Sequence, residues 1–115
     1  MKDKNEILEK SYAFALAVVR AAKMIRAKHE YELASQLWRS GTSIGSNVEE
    51  AQAAQSRADF RSKMSIAAKE ARECCYWLRL TRDSDVLDAK VVAPLLDGLG
   101  EIKKLLTSIV KSSVG

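Results

Sequence analysis

Residues 92–109 place apolar side chains at Val92, Leu95, Leu99, Ile102, Leu106 and Ile109, in alternating steps of three and four. Residues 60–78 repeat the alternation with Phe60, Met64, Ala67, Ala71, Cys74 and Leu78. Such spacing keeps one face of an α-helix apolar along its length, whereas a strand needs a period of two. Two further segments behave alike. Asn5 to Lys28 carries Ile7, Phe14, Val18 and Ile25 on one side, and Tyr31 to Ala54 carries Leu33, Leu37, Ile44, Val48 and Ala51. With one proline and five glycines in 115 residues, the chain has too few turn residues for an all-β fold. Four long amphipathic helices with short connections predict an all-α, antiparallel, up-down-up-down four-helix bundle in a single domain, residues 1–115. The seven-residue spacing predicts left-handed packing, with crossing angles near +20°. Ser56 followed by Asp59 is a weak capping box for helix three. Helix four starts at Asp85 or Asp88, both suitable caps; Pro94 favours a start that leaves it within about the first turn.

Charge narrows the function. The formal charge is +4, with 47% hydrophobic and 30% charged residues. Residues 1–30 contribute +3 and residues 57–82 contribute +4, against −2 for 31–56 and −1 for 83–115. Helices one and three are therefore the basic ones, and together they could shape a positive face. A single histidine and two cysteines cannot build an ordinary zinc site. The Glu-x-x-His pattern of di-iron bundles is absent, as is any phosphate-binding glycine loop. No nucleophile–base set can be assembled, so the expectation is a protein without enzymatic activity or cofactor. Adjacent Cys74 and Cys75 point about 100° apart on a helix and suit a reducing compartment. No stretch approaches the roughly 20 apolar residues of a membrane span, and no signal peptide is convincing, so the expected location is the cytoplasm.

On a helical wheel, Arg57, Arg61, Arg72 and Arg79 share one flank of helix three, with Lys69 and Tyr76 further round. Cations with an aromatic among them can meet phosphates while the tyrosine stacks on a base. A solvated flank that keeps the bundle soluble would have the same composition. Ile66 and Trp77, with Glu70 and Glu73 between them, lie outside the core stripe. Trp77 either covers a bundle seam or, together with Ile66 and Trp38, anchors an oligomer interface. Gly41 and Gly45 cost helix stability and so imply a packing reason: a very close neighbouring helix, or Trp38 folded over the gap. Ser43, Asn47 and Glu50 form a polar line beside the core stripe of helix two, which Arg39 could join. The line is either a hydrogen-bond network fixing helix register or a ligand or partner site. Arg72 is a candidate partner for Glu50.

The sequence elements Ser43-Ile44, Asn47-Val48-Glu49-Glu50, Glu70-Ala71-Arg72-Glu73 and Tyr76-Trp77-Leu78 resemble those of the 23S ribosomal RNA intervening-sequence proteins, over about residues 6–112. Many members of that family have glycine where this chain has Ala51, which implies that helix two simply continues here. The family is similar in fold to the accessory variability determinant protein of diversity-generating retroelements, a basic pentameric bundle that engages nucleic acid and a reverse transcriptase. The resemblance implies a four-helix bundle that assembles as a homopentamer. Residues and resemblance together lead to the expectation of an oligomer that binds nucleic acid, RNA in particular, through the basic flanks of helices one and three. The alternative is a scaffold for a protein partner such as a reverse transcriptase-like enzyme.

Overall fold

The computed structural model describes residues 2–113, with the side chains described from Asn5 onward. Four helices follow in order: α1 (Lys2–Arg26), α2 (Tyr31–Gln52), α3 (Arg57–Asp83) and α4 (Ala89–Ser112). Helices consecutive in the chain pack on one another, α1 also packs on α4, and among the described residues neither diagonal pair is in contact. That is the up-down-up-down bundle, 46 × 21 × 19 Å. The stripes read from the sequence form its core. Ile7, Phe14, Val18 and Ile25 meet Leu37, Ile44 and Val48, then Met64, Ala67, Ala71, Cys74 and Leu78, and all six stripe residues of α4. Phe60 and Leu33, at the ends of their stripes, are only partly buried.

The connections explain where each helix stops. α1 and α3 end with the same device. His29 (φ 65°) and Asp85 (φ 60°) adopt the left-handed conformation. The following amides, of Glu30 and Val86, donate back to the carbonyls of Ile25 and Thr81. This is the Schellman arrangement, with His and Asp in the place glycine usually takes. The lone histidine is thus part of a turn, and its Nδ1 lies 2.8 Å from the Tyr31 hydroxyl. Asp85 closes α3, which leaves Asp88 to cap α4 by accepting from the Lys90 amide at 2.8 Å. Pro94 then sits at the sixth helical position, inside α4 and beyond the first turn. Its exposed ring replaces an N–H that would otherwise reach back one turn. Half of the Ser56 box forms: Ser56 Oγ accepts from the Asp59 amide at 3.0 Å, while Asp59 Oδ2 accepts at 3.3 Å from the amide of Gln55, one residue before the cap. α2 ends at Gln52, slightly before the expected Ala54, and passes through Ala51 without a break.

Among the described residues three polar side chains are fully buried, and each makes a hydrogen bond within its own helix. Ser11, Ser40 and Thr81 donate to the carbonyls of Leu8, Leu37 and Trp77. The glycine pair has its packing reason in α1. A Cβ at Gly41 would lie 2.6 Å from Val18 Cγ1, and one at Gly45 would lie 3.3 Å from the Ser11 carbonyl oxygen. Close approach of α1, rather than Trp38 folding over a gap, accounts for both.

Candidate nucleic-acid interface

Helix α3 meets α2 through Glu73. Its Oε2 accepts from Arg39 Nη2 and from Trp77 Nε1, both at 3.1 Å. This fixes the rotation of α3: the Glu73 side faces α2. Arg57, Arg61, Arg72 and Arg79 lie about 100–160° round the helix from it, towards α4 and solvent. Lys69 and Tyr76 lie between, on the outermost ridge. The six residues therefore form two parallel lines rather than one cluster. All are exposed except Arg61, which is half-buried. Tyr76 is 53% exposed and packs edge-on against Trp77, with ring centroids 5.0 Å apart. Arg61, Lys69 and Arg72 have no ion-pair partner among the described residues. From Arg57 to Arg79 the column runs about 33 Å at 1.5 Å per residue, close to the roughly 34 Å turn of a B-form duplex.

The two basic helices do not make one face. α1 and α3 occupy diagonal corners, so their cations form separate surfaces of the bundle. On α1, Lys10 is already paired with Glu6 and with Glu101 of α4. Beside that pair a groove of about 470 Å³ follows the loose α1–α4 seam, floored by Phe14, Ala17, Leu95 and Gly98.

The polar line on α2 resolves into smaller parts. Asn47 Nδ2 donates to the Ser43 carbonyl at 2.8 Å and lies 3.2 Å from its hydroxyl. Arg39 turns the other way, to Gln36 and Glu73. Glu50 is exposed, and no ion pair joins it to Arg72. Trp38, Ile66 and Trp77 are likewise not gathered in one place. Trp38 lies on the α1–α2 seam, whereas Trp77 lies half-buried on the α2–α3 seam. Ile66, Trp77 and Leu80 instead line one side of α3, with Ile66 and Leu80 about 40% exposed. The hub at Glu73 was not foreseen; its only sequence signal is the four-residue spacing to Trp77.

Behind this surface lies the buried thiol of Cys74. Burial pushes the Cys74 thiol up to about 12; the nearby charges of Cys75, Glu73 and Glu70 add to this and a hydrogen bond with Ser40 opposes it. A thiol held neutral in this way is a poor nucleophile. Alkylation of the folded protein, followed by peptide mass mapping, is expected to label half-buried Cys75 and spare Cys74 until the chain is denatured. Equal labelling of both would contradict the packing of Cys74 in the core. Among the described residues no group of three or more His, Cys, Asp or Glu could hold a metal ion, and no helix is long and apolar enough to cross a membrane.

The order of the helices, the capped turns and the Ser43–Asn47 pair can be set against known proteins. No curated protein gives a significant match. A solved structure from Bacteroides thetaiotaomicron, described as a protein of unknown function from the S23 ribosomal protein family, is 40% identical. It superposes with a TM-score of 0.91 over 95% of this chain and 98% of that one. The sequence model of the 23S rRNA-intervening sequence protein family covers residues 3–108, from the first turn of α1 to the last turns of α4. With nearly the whole bundle matched in sequence and in fold, the chain belongs to the 23S rRNA-intervening sequence protein family.

Proposed function

We propose that this protein is a non-enzymatic, cytoplasmic, oligomeric bundle that binds structured RNA through the outer flank of α3. The observation that carries the reading is the column of cations from Arg57 to Arg79, in which Arg61 and Arg72 lack any carboxylate partner among the described residues. Cations already paired within the protein gain little from a phosphate; unpaired ones release the counterions of the nucleic acid. Lys69 and exposed Tyr76 border the column. The family name refers to an intervening sequence of 23S rRNA, which makes RNA the first probe. The test is binding of a labelled RNA hairpin across a salt series. Affinity should fall steeply with salt, by about 0.9 in log K per log unit of salt for each phosphate contacted. A folded protein that fails to bind at low salt would overturn the proposal.

Assembly rests on a second line of side chains on α3. Ile66, Glu70, Glu73, Trp77 and Leu80 follow the same steps of four and three as the core stripe. A helix with two such stripes packs on two sides, and only part of the second is covered by α2. Exposed Ile66 and Leu80 are the apolar remainder. Ile66→Glu with Leu80→Glu is expected to convert an oligomer to monomers in native mass spectrometry, with the helical circular dichroism retained. Unchanged mass in the double variant would remove this surface from the interface.

A further inference from the structure

At the end of the α1–α2 seam, beside the turn that joins these helices, the surface opens into a cavity of about 320 Å³. Buried Ala22 and Ala34 form its floor, and exposed Lys23, Arg26, Ser35, Trp38 and Arg39 its rim. Among the described residues no acidic side chain lines it. The small floor residues leave the Trp38 indole standing clear, 43% exposed. Arg39 commits its charge to Glu73, but Lys23 and Arg26 have no carboxylate partner among the described residues. Arg26 instead lies over the ring of Tyr31, 5.5 Å from its centroid. Tyr31 precedes Trp38 by seven residues, so both rings sit on the same side of α2, about 10 Å apart along the axis. Tyr31 is also half exposed.

An accessible indole bordered by two uncompensated cations suits one ligand chemistry: a flat aromatic ring that carries negative charge close by. Such a ring stacks on the indole, and its charge meets the cations. A nucleotide combines both features. The cavity is at the lower limit of ligand pockets, which enclose about 300–1,000 Å³. It holds one base-sized group and does not enclose a phosphate chain. A second aromatic platform two turns away favours a ligand that continues beyond the cavity. We infer that this cavity is a stacking subsite for one unpaired nucleotide of a single-stranded RNA, with the base on Trp38 and the adjoining phosphates held by Lys23 and Arg26. The inference rests on the RNA-binding reading but uses a different surface, since α1 lies diagonally across from α3. It also assigns Trp38 a role other than subunit contact.

The test uses three probes: an unstructured RNA octamer, a blunt RNA duplex and adenosine monophosphate. Trp38 emission is isolated by subtracting the spectrum of Trp38→Phe, in which only Trp77 emits. The octamer should quench Trp38. Base–aromatic stacking corresponds to roughly a five- to 150-fold change in affinity, so Trp38→Ala should weaken octamer binding at least fivefold. Duplex binding should stay within twofold, and Trp38→Phe should recover most of the loss. Lys23→Gln with Arg26→Gln should lower the octamer's salt slope by about 1.4, two single-strand phosphates. Unchanged octamer affinity in Trp38→Ala would overturn the subsite. Quenching by the monophosphate equal to that by the octamer, at matched nucleotide concentration, would assign the cavity to free nucleotides and overturn the strand assignment. The α3 reading is judged separately, on the duplex with Arg61, Lys69 and Arg79 replaced, where Trp38 is not involved.

Discussion

Replacing Arg61, Lys69 and Arg79 together by Gln is expected to reduce RNA hairpin affinity about a hundredfold at 0.15 M salt and to flatten the salt dependence. The estimate follows from counterion release: three lost duplex phosphate contacts remove about 2.7 from the slope of log K against log salt. At 0.15 M the same three contacts amount to about two decades in K. The fold should be unaffected, because Lys69 and Arg79 are exposed and Arg61 is only half-buried. None of the three forms an ion pair among the described residues, so no buried carboxylate there is orphaned by their removal. As a control, Lys10→Gln should change affinity little, since Lys10 is already engaged by Glu6 and Glu101. A triple variant that loses affinity without any change in slope would mean that those residues act through shape rather than phosphate contact. Full affinity in the triple variant would place the RNA surface elsewhere on the bundle.

The contrast between these cations shows what the sequence could and could not supply. Periodicity fixes which face of a helix is apolar, and that was enough for the core. Every stripe residue of α4, from Val92 to Ile109, is buried, as are Met64 to Leu78 on α3. Local capping chemistry was legible at Ser56–Asp59, where donor and acceptor are close in sequence. It was ambiguous at Asp85 and Asp88, because an aspartate suits both the left-handed end of one helix and the cap of the next. Periodicity is silent on how far each helix is rotated against its neighbour and how far it slides. Those two quantities decide that Arg39 meets Glu73 rather than joining Ser43, and that Glu50 and Arg72 do not pair. They also place Trp38 and Trp77 on different seams. Net charge located the basic helices correctly but not their arrangement. Neighbours in a bundle are set by chain order, so the first and third helices end up diagonal and their charges cannot merge.

The Gly41–Val18 contact offers the sharpest test of that arrangement. Gly41→Ala is expected to destabilise the protein although alanine is the better helix former. The propensity gain is about 1 kcal/mol. Against it, the new methyl would sit 2.6–3.0 Å from Val18 Cγ1, Cγ2 and Cβ. Val18 is fully buried and, being β-branched, is held to one strongly preferred rotamer in a helix. Overpacking costs typically about 1–3 kcal/mol, and three Val18 atoms within 3.0 Å put this site in the upper half of that range, so the net loss should reach about 1–2 kcal/mol. At roughly 4 °C per kcal/mol for a domain of this size, Tm should fall by about 4–8 °C. Gly45→Ala gains the same propensity and meets only a 3.3 Å contact, so its Tm should stay within about 2 °C of wild type. The decisive measurement is made in a Val18→Ala background, itself destabilised by a cavity. There the added methyl of Gly41→Ala fills space, and the substitution should become stabilising. A change of sign between the two backgrounds shows that residues 18 and 41 are coupled, as direct contact requires. Additive effects would mean that α1 does not approach α2 at Gly41. The packing reason for the glycine pair, and the rotation of α1 that places Lys23 and Arg26 beside Trp38, would then both fail.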